Sequence, residues 1–438
     1  MKKDRSFANA LIVNPKRYAD AGGAQDARLF PYYAGYSAAF ASNLLASLAF
    51  VKDPWILDPW NGGGITTHTA RRFGYRAIGR DLNPVMVLIA KAELLSPQDV
   101  GSLIPLAHTI LDGARRRNER FTEDDPLCRW LAPSTASFIR AIETEINSSL
   151  VSHKKYRQLS SASDFDEVSS LAAFFYVVLF RVSRRLLNRF KPTNPMWTKS
   201  PTKPHQRTKA GRRKVASMFL DEVRPLSALV AVHSFLVTDE MLTCDIGLGN
   251  SEKLQLKSRS IDMVLTSPPY CTRIDYAMAT AIELAVLRFS KIEFDKLRRS
   301  LMGTSTVTAD EIEKHASWGK TCNRFLDKLY THSSKASKTY YFKNHLQYFQ
   351  SLYLSIGEIS RVLKRDGKCV IVMQDSYYKD IRNDVPKIVG EMANSHGLLL
   401  RRQEKFVSNR SMVGMNKKAR EYVARRKIKE SVLCFVQS

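Results

Sequence analysis

Five residues in the second half of the chain, Thr266, Ser267, Pro268, Pro269 and Tyr270, follow the apolar run Met263-Val264-Leu265. Two successive prolines have no N–H to give a ladder, so the run reads as a buried strand that breaks sharply at its end. Carbonyls released there, with the Ser267 hydroxyl and the face of Tyr270, can accept hydrogen bonds from a planar amine while stacking on its ring. A nucleobase with an exocyclic NH2, pulled out of its stack, has that shape. Taken alone, the four residues from Ser267 could equally be a loop with no chemistry.

A second stretch, "DPWNGGGITTHTARRFGY", begins at Asp58 and Pro59, after the short apolar run Trp55-Ile56-Leu57. Strand, glycine turn at Gly62, Gly63 and Gly64, and a helix from near Thr66 make the first βα unit of a doubly wound sheet. Glycines let the backbone approach a ligand closely, and the helix start offers unpaired N–H groups. The next strand, Ala77-Ile78-Gly79, reaches Asp81, 23 residues beyond Asp58. That is where a carboxylate can grip a ribose diol. The plainer readings are a tight turn for the glycines and a helix N-cap before Pro84 for Asp81. A GxGxxG of the nicotinamide type is absent.

The stretch "VLTSPPY" resembles the catalytic motif of the S-adenosylmethionine-dependent DNA amino-methyltransferases, most closely its cytosine-N4 branch. Adenine-N6 members more often carry Asp or Asn at the position of Ser267. The block from Asp58 resembles the cofactor motif of the same family, often DPF-x-G-x-GTT, with Trp60 where Phe is usual and Ile65 interrupting the Gly-Thr junction. The resemblance implies S-adenosyl-L-methionine as cofactor and no metal. It implies that Asp58, Pro59, Gly62 and Gly64 line the methionine end, Asp81 the ribose and Asp245 the adenine amine, with Tyr36 and Ser37 closing over the methionine moiety. Ser267, Pro268, Pro269 and Tyr270 would form the catalytic loop. The implied partner is duplex DNA with one base flipped out, in a setting that can include a restriction or defence partner.

The elements that must position these motifs follow from apolar spacing. Phe40, Leu44, Leu45 and Leu48 mark one helical face, with Ser37 as N-cap. Residues 96–235 interrupt the sheet pattern and look helical in "VGSLIPLAHTILDGARRR", "PSTASFIRAIETEI" and "EVSSLAAFFYVVLFRVSRRLL". The run Leu171–Phe180 reads as core, being too short to span a bilayer. A candidate third strand ends at Asp245, and a fourth leads into Thr266. Residues 289–344 form a second insert, a helix runs from His345 to Asp366-Gly367, and "KCVIVMQDS" is a buried strand. "GLLLRRQEKF" and "SVLCFV" pair as an antiparallel edge hairpin. Asp275 follows the catalytic loop, and Arg273 beside it either pairs with it or holds a phosphate. The expected fold is therefore α/β: a Rossmann-like doubly wound methyltransferase sheet with an antiparallel edge strand, plus a mainly helical insertion. Residues 1–95 and 236–438 form the two parts of the core, and 96–235 a helical, basic insertion.

At 438 residues and 44% hydrophobic content the chain is long and apolar enough for a substantial core. Its formal net charge of +26 calls for a polyanion, nucleic acid before membrane surface. Arg181, Arg184, Arg185, Arg189, Lys191, Lys199, Lys203, Arg207, Lys209, Arg212, Arg213 and Lys214 carry twelve of the cations, with no Asp or Glu among them. The proline-rich centre of this stretch, with Trp197, reads as a loop that either tracks phosphates or is simply solvated. Arg410–Glu430 is a second basic loop that can reach DNA. The six scattered cysteines have no zinc spacing and read as reduced thiols, and Met1–Ala10 lacks the apolar core of a secretory signal, so a cytoplasmic protein is expected. An RNA amino-methyltransferase and a catalytically silent DNA-binding protein on the same scaffold are the rival classes.

Overall fold

The strand Trp55–Asp58 (β1) lies at the turning point of the sheet, with Arg76–Asp81 (β2) parallel on one side and Ile261–Thr266 (β4) parallel on the other. Cys244–Leu248 (β3) extends the sheet beyond β2, and Leu363–Gln374 (β5) extends it beyond β4, both in parallel. Leu398–Ser408 (β8) and Ile428–Gln437 (β9) close the far side as an antiparallel pair, giving the order β3-β2-β1-β4-β5-β9-β8. A short hairpin, Ser376–Tyr378 (β6) with Ile381–Asn383 (β7), stands apart. The computed structural model describes residues 7–16, 28–31, 35–50, 52–117, 123–152, 155–190, 198–233, 243–271, 274–307, 312–408 and 428–438. Trp197, Arg273, the first residues of the chain and most of the Arg410–Glu430 loop lie outside these.

Alternation along the strands sorts the core. Ile56, Met263, Leu265 and Val370 face Ala38–Ser47 (α1) and Ile65–Arg72 (α2). Leu57, Val264, Cys369 and Ile371 face Lys320–Thr331 (α12), Phe342–Val362 (α13) and Val385–Ser395 (α14). A period of two in the strands thus lets one sheet bury both faces.

The insertion is helical where the sequence marks it: Val100–Arg116 (α4), Pro133–Leu150 (α5) and Ser170–Leu186 (α7). Ala162–Asp166 (α6) and Arg212–His233 (α8) complete it. The all-apolar centre of α7 is fully buried, and one hydrophobic cluster runs from Pro84–Ala92 (α3) through α4, α5, α7 and α8 to Ala281–Val286 (α10). The insertion is therefore fused to the helix layer over β2 and β3. Tyr276–Ala279 (α9) and Lys291–Ser300 (α11) flank α10.

Three sequence expectations need correction. β3 begins at Cys244, so Asp245 is its second residue and does not end it. The ladder continues through Gly247 and Leu248, which pair with Arg80 and Asp81. That glycine-containing run carries little strand signal of its own. Helix α13 stops at Val362, four residues short of Asp366-Gly367, because Arg259 and Ser260 donate their N–H groups to the carbonyls of Arg361 and Val362. Leu363, which fits the helical spacing, is buried as the first residue of β5. Finally, three of the twelve clustered cations pair with carboxylates of the protein: Arg181 and the half-exposed Arg185 with Glu222, and Arg184 with Glu283. Glu283 is fully buried, so removing Arg184 would strand a charge, a role distinct from meeting phosphate.

Candidate active site

Where the strand order reverses, the carboxyl ends of β1, β2 and β4 leave a crevice, the usual ligand position of an open α/β sheet. A cleft of about 1160 Å³, counted out through its mouth, occupies this crevice and is lined by both chemistry-bearing stretches. Asp58, Pro59, Gly62 and Gly63 line it from the β1 side, Asp81 from β2, and Ser267, Pro268, Pro269 and Tyr270 from β4.

Asp58, at the last position of β1, is buried and already well partnered. Its Oδ1 accepts from the Thr266 hydroxyl at 2.6 Å and the Trp60 N–H at 3.1 Å, and its Oδ2 from the Thr66 hydroxyl at 2.5 Å. Burial lifts its carboxyl to about 6, with these donors pulling the other way. The Tyr36 hydroxyl completes the knot by donating to the Leu265 carbonyl at 3.2 Å and lying against Thr66. One carboxylate thereby ties the tips of β1 and β4 to the start of α2 and to the segment before α1. Ser37 does what its sequence position suggests: its hydroxyl accepts from the Phe40 N–H and caps α1.

The turn after Asp58 is shaped by its glycines. Gly62 and Gly64 have positive φ, +49° and +81°, and a Cβ on Gly64 would lie 3.0 Å from that of Ala90 on α3. Asp81 Oδ2 accepts the Gly62 N–H at 2.9 Å and Oδ1 the Asn83 N–H at 2.8 Å. The N-cap of α3 is Asn83, whose side chain accepts from Val85. Asp81 instead holds the glycine turn, and each of its oxygens retains a lone pair on a carboxyl that burial raises to about 6.

The other end of the cleft is walled by aromatic and apolar side chains from distant parts of the chain. Tyr276 accepts the Tyr270 N–H on its hydroxyl at 3.2 Å, and Tyr348 donates to the Pro269 carbonyl at 3.0 Å. Tyr270 donates to the buried Glu430 Oε1 at 3.4 Å, across to β9. Leu301 and Met302 close the wall, and Gly303 follows at φ +76°, where a Cβ would come within 2.7 Å of the Tyr270 carbonyl oxygen. The Pro268 carbonyl and Ser267 hydroxyl accept from no described residue, whereas Pro269 is already occupied. Asp275 caps α9 and pairs with Arg298 at 2.7 Å, so its described ionic partner comes from the second insert.

Three expected site residues do not line the cleft: Ser37, which caps α1, Gly64, which packs on α3, and Asp245. Asp245 lies in the first half of β3 and pairs with Arg80, Oδ2 to Nη2, at 2.5 Å. The residues after β3 that do line the cleft are Gly249, Asn250, Ser251 and Glu252, which sequence reading passed over. A Gly-Asn pair directly after a strand was the available signal. Tyr348, Gly303 and Glu430 had none, since each reaches the site only through long-range packing.

No protein-family model matches the chain. It is 20% identical over 376 residues to the Type II methyltransferase M.BsoBI of Geobacillus stearothermophilus, covering 80% of this chain and 68% of that protein. It is 26% identical over 151 residues to the Type II methyltransferase M.AvaI of a Nostoc strain, covering 31% of this chain and 30% of the relative. Among solved structures, a Haemonchus contortus phospholethanolamine N-methyltransferase 2 in complex with phosphomonomethylethanolamine and S-adenosylhomocysteine matches at 10% identity and a TM-score of 0.21, over 89% of this chain and 95% of that one. The likeness to the Type II enzymes supports a methyltransferase.

Proposed function

We propose that the chain methylates DNA, moving a methyl group from S-adenosylmethionine to the exocyclic amine of a base flipped into the cleft, cytosine N4 in preference to adenine N6. The observation that carries this reading is that the two motif-bearing strand tips, β1 with its glycine turn and β4 with Ser267–Tyr270, are hydrogen-bonded neighbours opening into one cleft. The similarity to two Type II methyltransferases and the net charge of +26 support a DNA substrate.

The residues present fit such a cofactor. Asp81 has a lone pair on each oxygen for a diol, the turn brings the backbone of Gly62 and Gly63 to the ligand space, and Asn250 and Ser251 offer polar groups beyond β3. When bound, the cofactor supplies an electrophilic methyl group. Asp58 acts by fixing the two strand tips. At the base end, the Ser267 hydroxyl oxygen and the Pro268 carbonyl accept hydrogen bonds from the two amine N–H groups, reducing delocalisation of the nitrogen lone pair into the ring, while Tyr270 stacks on the ring. The amine nitrogen held there would take up that methyl group as the carbon–sulfur bond breaks with its electron pair left on sulfur, and one amine proton would pass to solvent. Removing a proton from a positively charged amine needs no strong base.

Transfer of tritium from labelled S-adenosylmethionine should appear in duplex DNA and not in RNA of the same sequence. Preference for single-stranded RNA would assign the same pocket to an RNA amino-methyltransferase, and absence of cofactor binding in calorimetry would leave a DNA-binding protein without chemistry.

A further inference from the structure

The cleft does not end at the glycine turn. Beyond Gly63 it runs between α3 and the segment before α1, where Met86, Ile89 and Phe30 line it and Arg28 and Glu93 close it. The Arg28 guanidinium is inside the protein, its side chain 13% exposed. Its nearest described carboxylate oxygen, Glu93 Oε2, is 3.7 Å from Nη1, a charge contact too long for a hydrogen bond. Neither Nη1 nor Nη2 has a hydrogen-bond acceptor among the described residues. A buried planar fork of charged donors without acceptors is costly, so the group is retained for an acceptor that arrives from outside.

Its position is not accidental slack. Glu93 Oε1 accepts the Leu29 N–H at 3.0 Å, Arg181 of α7 donates to the Leu29 carbonyl at 3.0 Å, and Arg184 of the same helix lies over the Phe30 ring at 5.0 Å. Glu93 and the insertion helix α7 thus hold Leu29 and Phe30, the residues after Arg28, in place beside α3. What the fork fits is a carboxylate, which it can take by two parallel bonds.

We infer that Arg28 receives the α-carboxylate of the cofactor's amino-acid end, with the ribose on Asp81 and the sulfur near the glycine turn. This rests on the proposed use of S-adenosylmethionine. It gives α7 a role in the cofactor site, because the helix sets the segment on which Arg28 sits.

Decarboxylated S-adenosylmethionine, which keeps every other group, is the discriminating probe. By calorimetry the intact full-length protein should bind S-adenosylmethionine about 10- to 100-fold more tightly than the decarboxylated form, the range expected for a charge-assisted pair. Arg28→Ala should erase that preference by weakening the parent cofactor alone, and Arg28→Lys, which preserves a point charge without the fork, should retain part of it. Equal weakening of both ligands, or a wild-type protein indifferent to the carboxylate, overturns the assignment while leaving the cofactor reading intact. Binding of neither ligand by the wild-type protein removes both. Should the alanine variant fail to fold, the wild-type preference and the lysine variant decide the question.

Discussion

The two ends of the cleft, the glycine turn proposed to hold the cofactor end and the Tyr270 loop proposed to hold the base end, are held by different kinds of contact. At the glycine turn, Asp58, Trp60, Gly62, Asp81 and Asn83 are joined by hydrogen bonds that close within one βαβ unit. Around Tyr270 the supports come from Tyr276, Gly303, Tyr348 and Glu430, that is, from the segment after β4, the second insert, α13 and β9. A locally closed network is set as soon as its own strand-turn-helix forms. The base end is set only when the whole sheet is assembled, so changes there should cost catalysis while sparing cofactor binding. The Thr266–Asp58 bond joins the two regimes.

The strongest way to break this contrast is at Tyr270. Tyr270→Ala should lower methyl transfer by about 10²-fold or more while the calorimetric affinity for S-adenosylhomocysteine stays within about twofold, since lost base positioning acts on turnover alone. Gly303→Ala should act in the same direction from outside the motif. Its Cβ would meet the Tyr270 carbonyl oxygen in a left-handed backbone, costing about 1–3 kcal/mol in strain and shifting the loop. Steady-state kinetics alongside calorimetry would show whether the loss is confined to turnover, and a matching loss of cofactor affinity would dissolve the distinction between the ends.

These two residues also show how far the sequence could be read. The β1-turn-α2-β2 unit was legible because its signals are local: an apolar run, three glycines and an acid at the expected distance. Ser267–Tyr270 was legible because paired prolines after an apolar strand are rare and physically specific. Gly303 and Tyr348 were invisible because their meaning lies in contacts that span the fold. Asp245 was misplaced because the ladder runs on through Gly247, a residue that carries no strand signal of its own, so the strand's end was read too early.

The cofactor end should answer to pH. Burial holds Asp81 up at about 6, and only its ionised form accepts two diol hydroxyls, so affinity for S-adenosylhomocysteine should fall about tenfold per pH unit below that value. Asp81→Asn should bind weakly at all pH values and lose the dependence. In the free protein the sign reverses. The folded pKa lies above the unfolded 3.8, so the group favours folding when protonated, and that contribution is lost as pH rises through about 6. Smallest of all should be Thr266→Val, which removes one donor to Asp58 and should cost about 1–3 kcal/mol in denaturant unfolding. Both cofactor affinity and turnover should decline together in that variant, since its bond spans the two ends.

Nucleoside mass spectrometry of duplex DNA incubated with the protein and S-adenosylmethionine tests the pairing of the two strand tips most directly. N4-methylcytosine is the expected product, absent with Tyr270→Ala. Unmodified DNA, recovered from a protein that demonstrably binds the cofactor, would contradict the claim that the two strand tips bring donor and amine together.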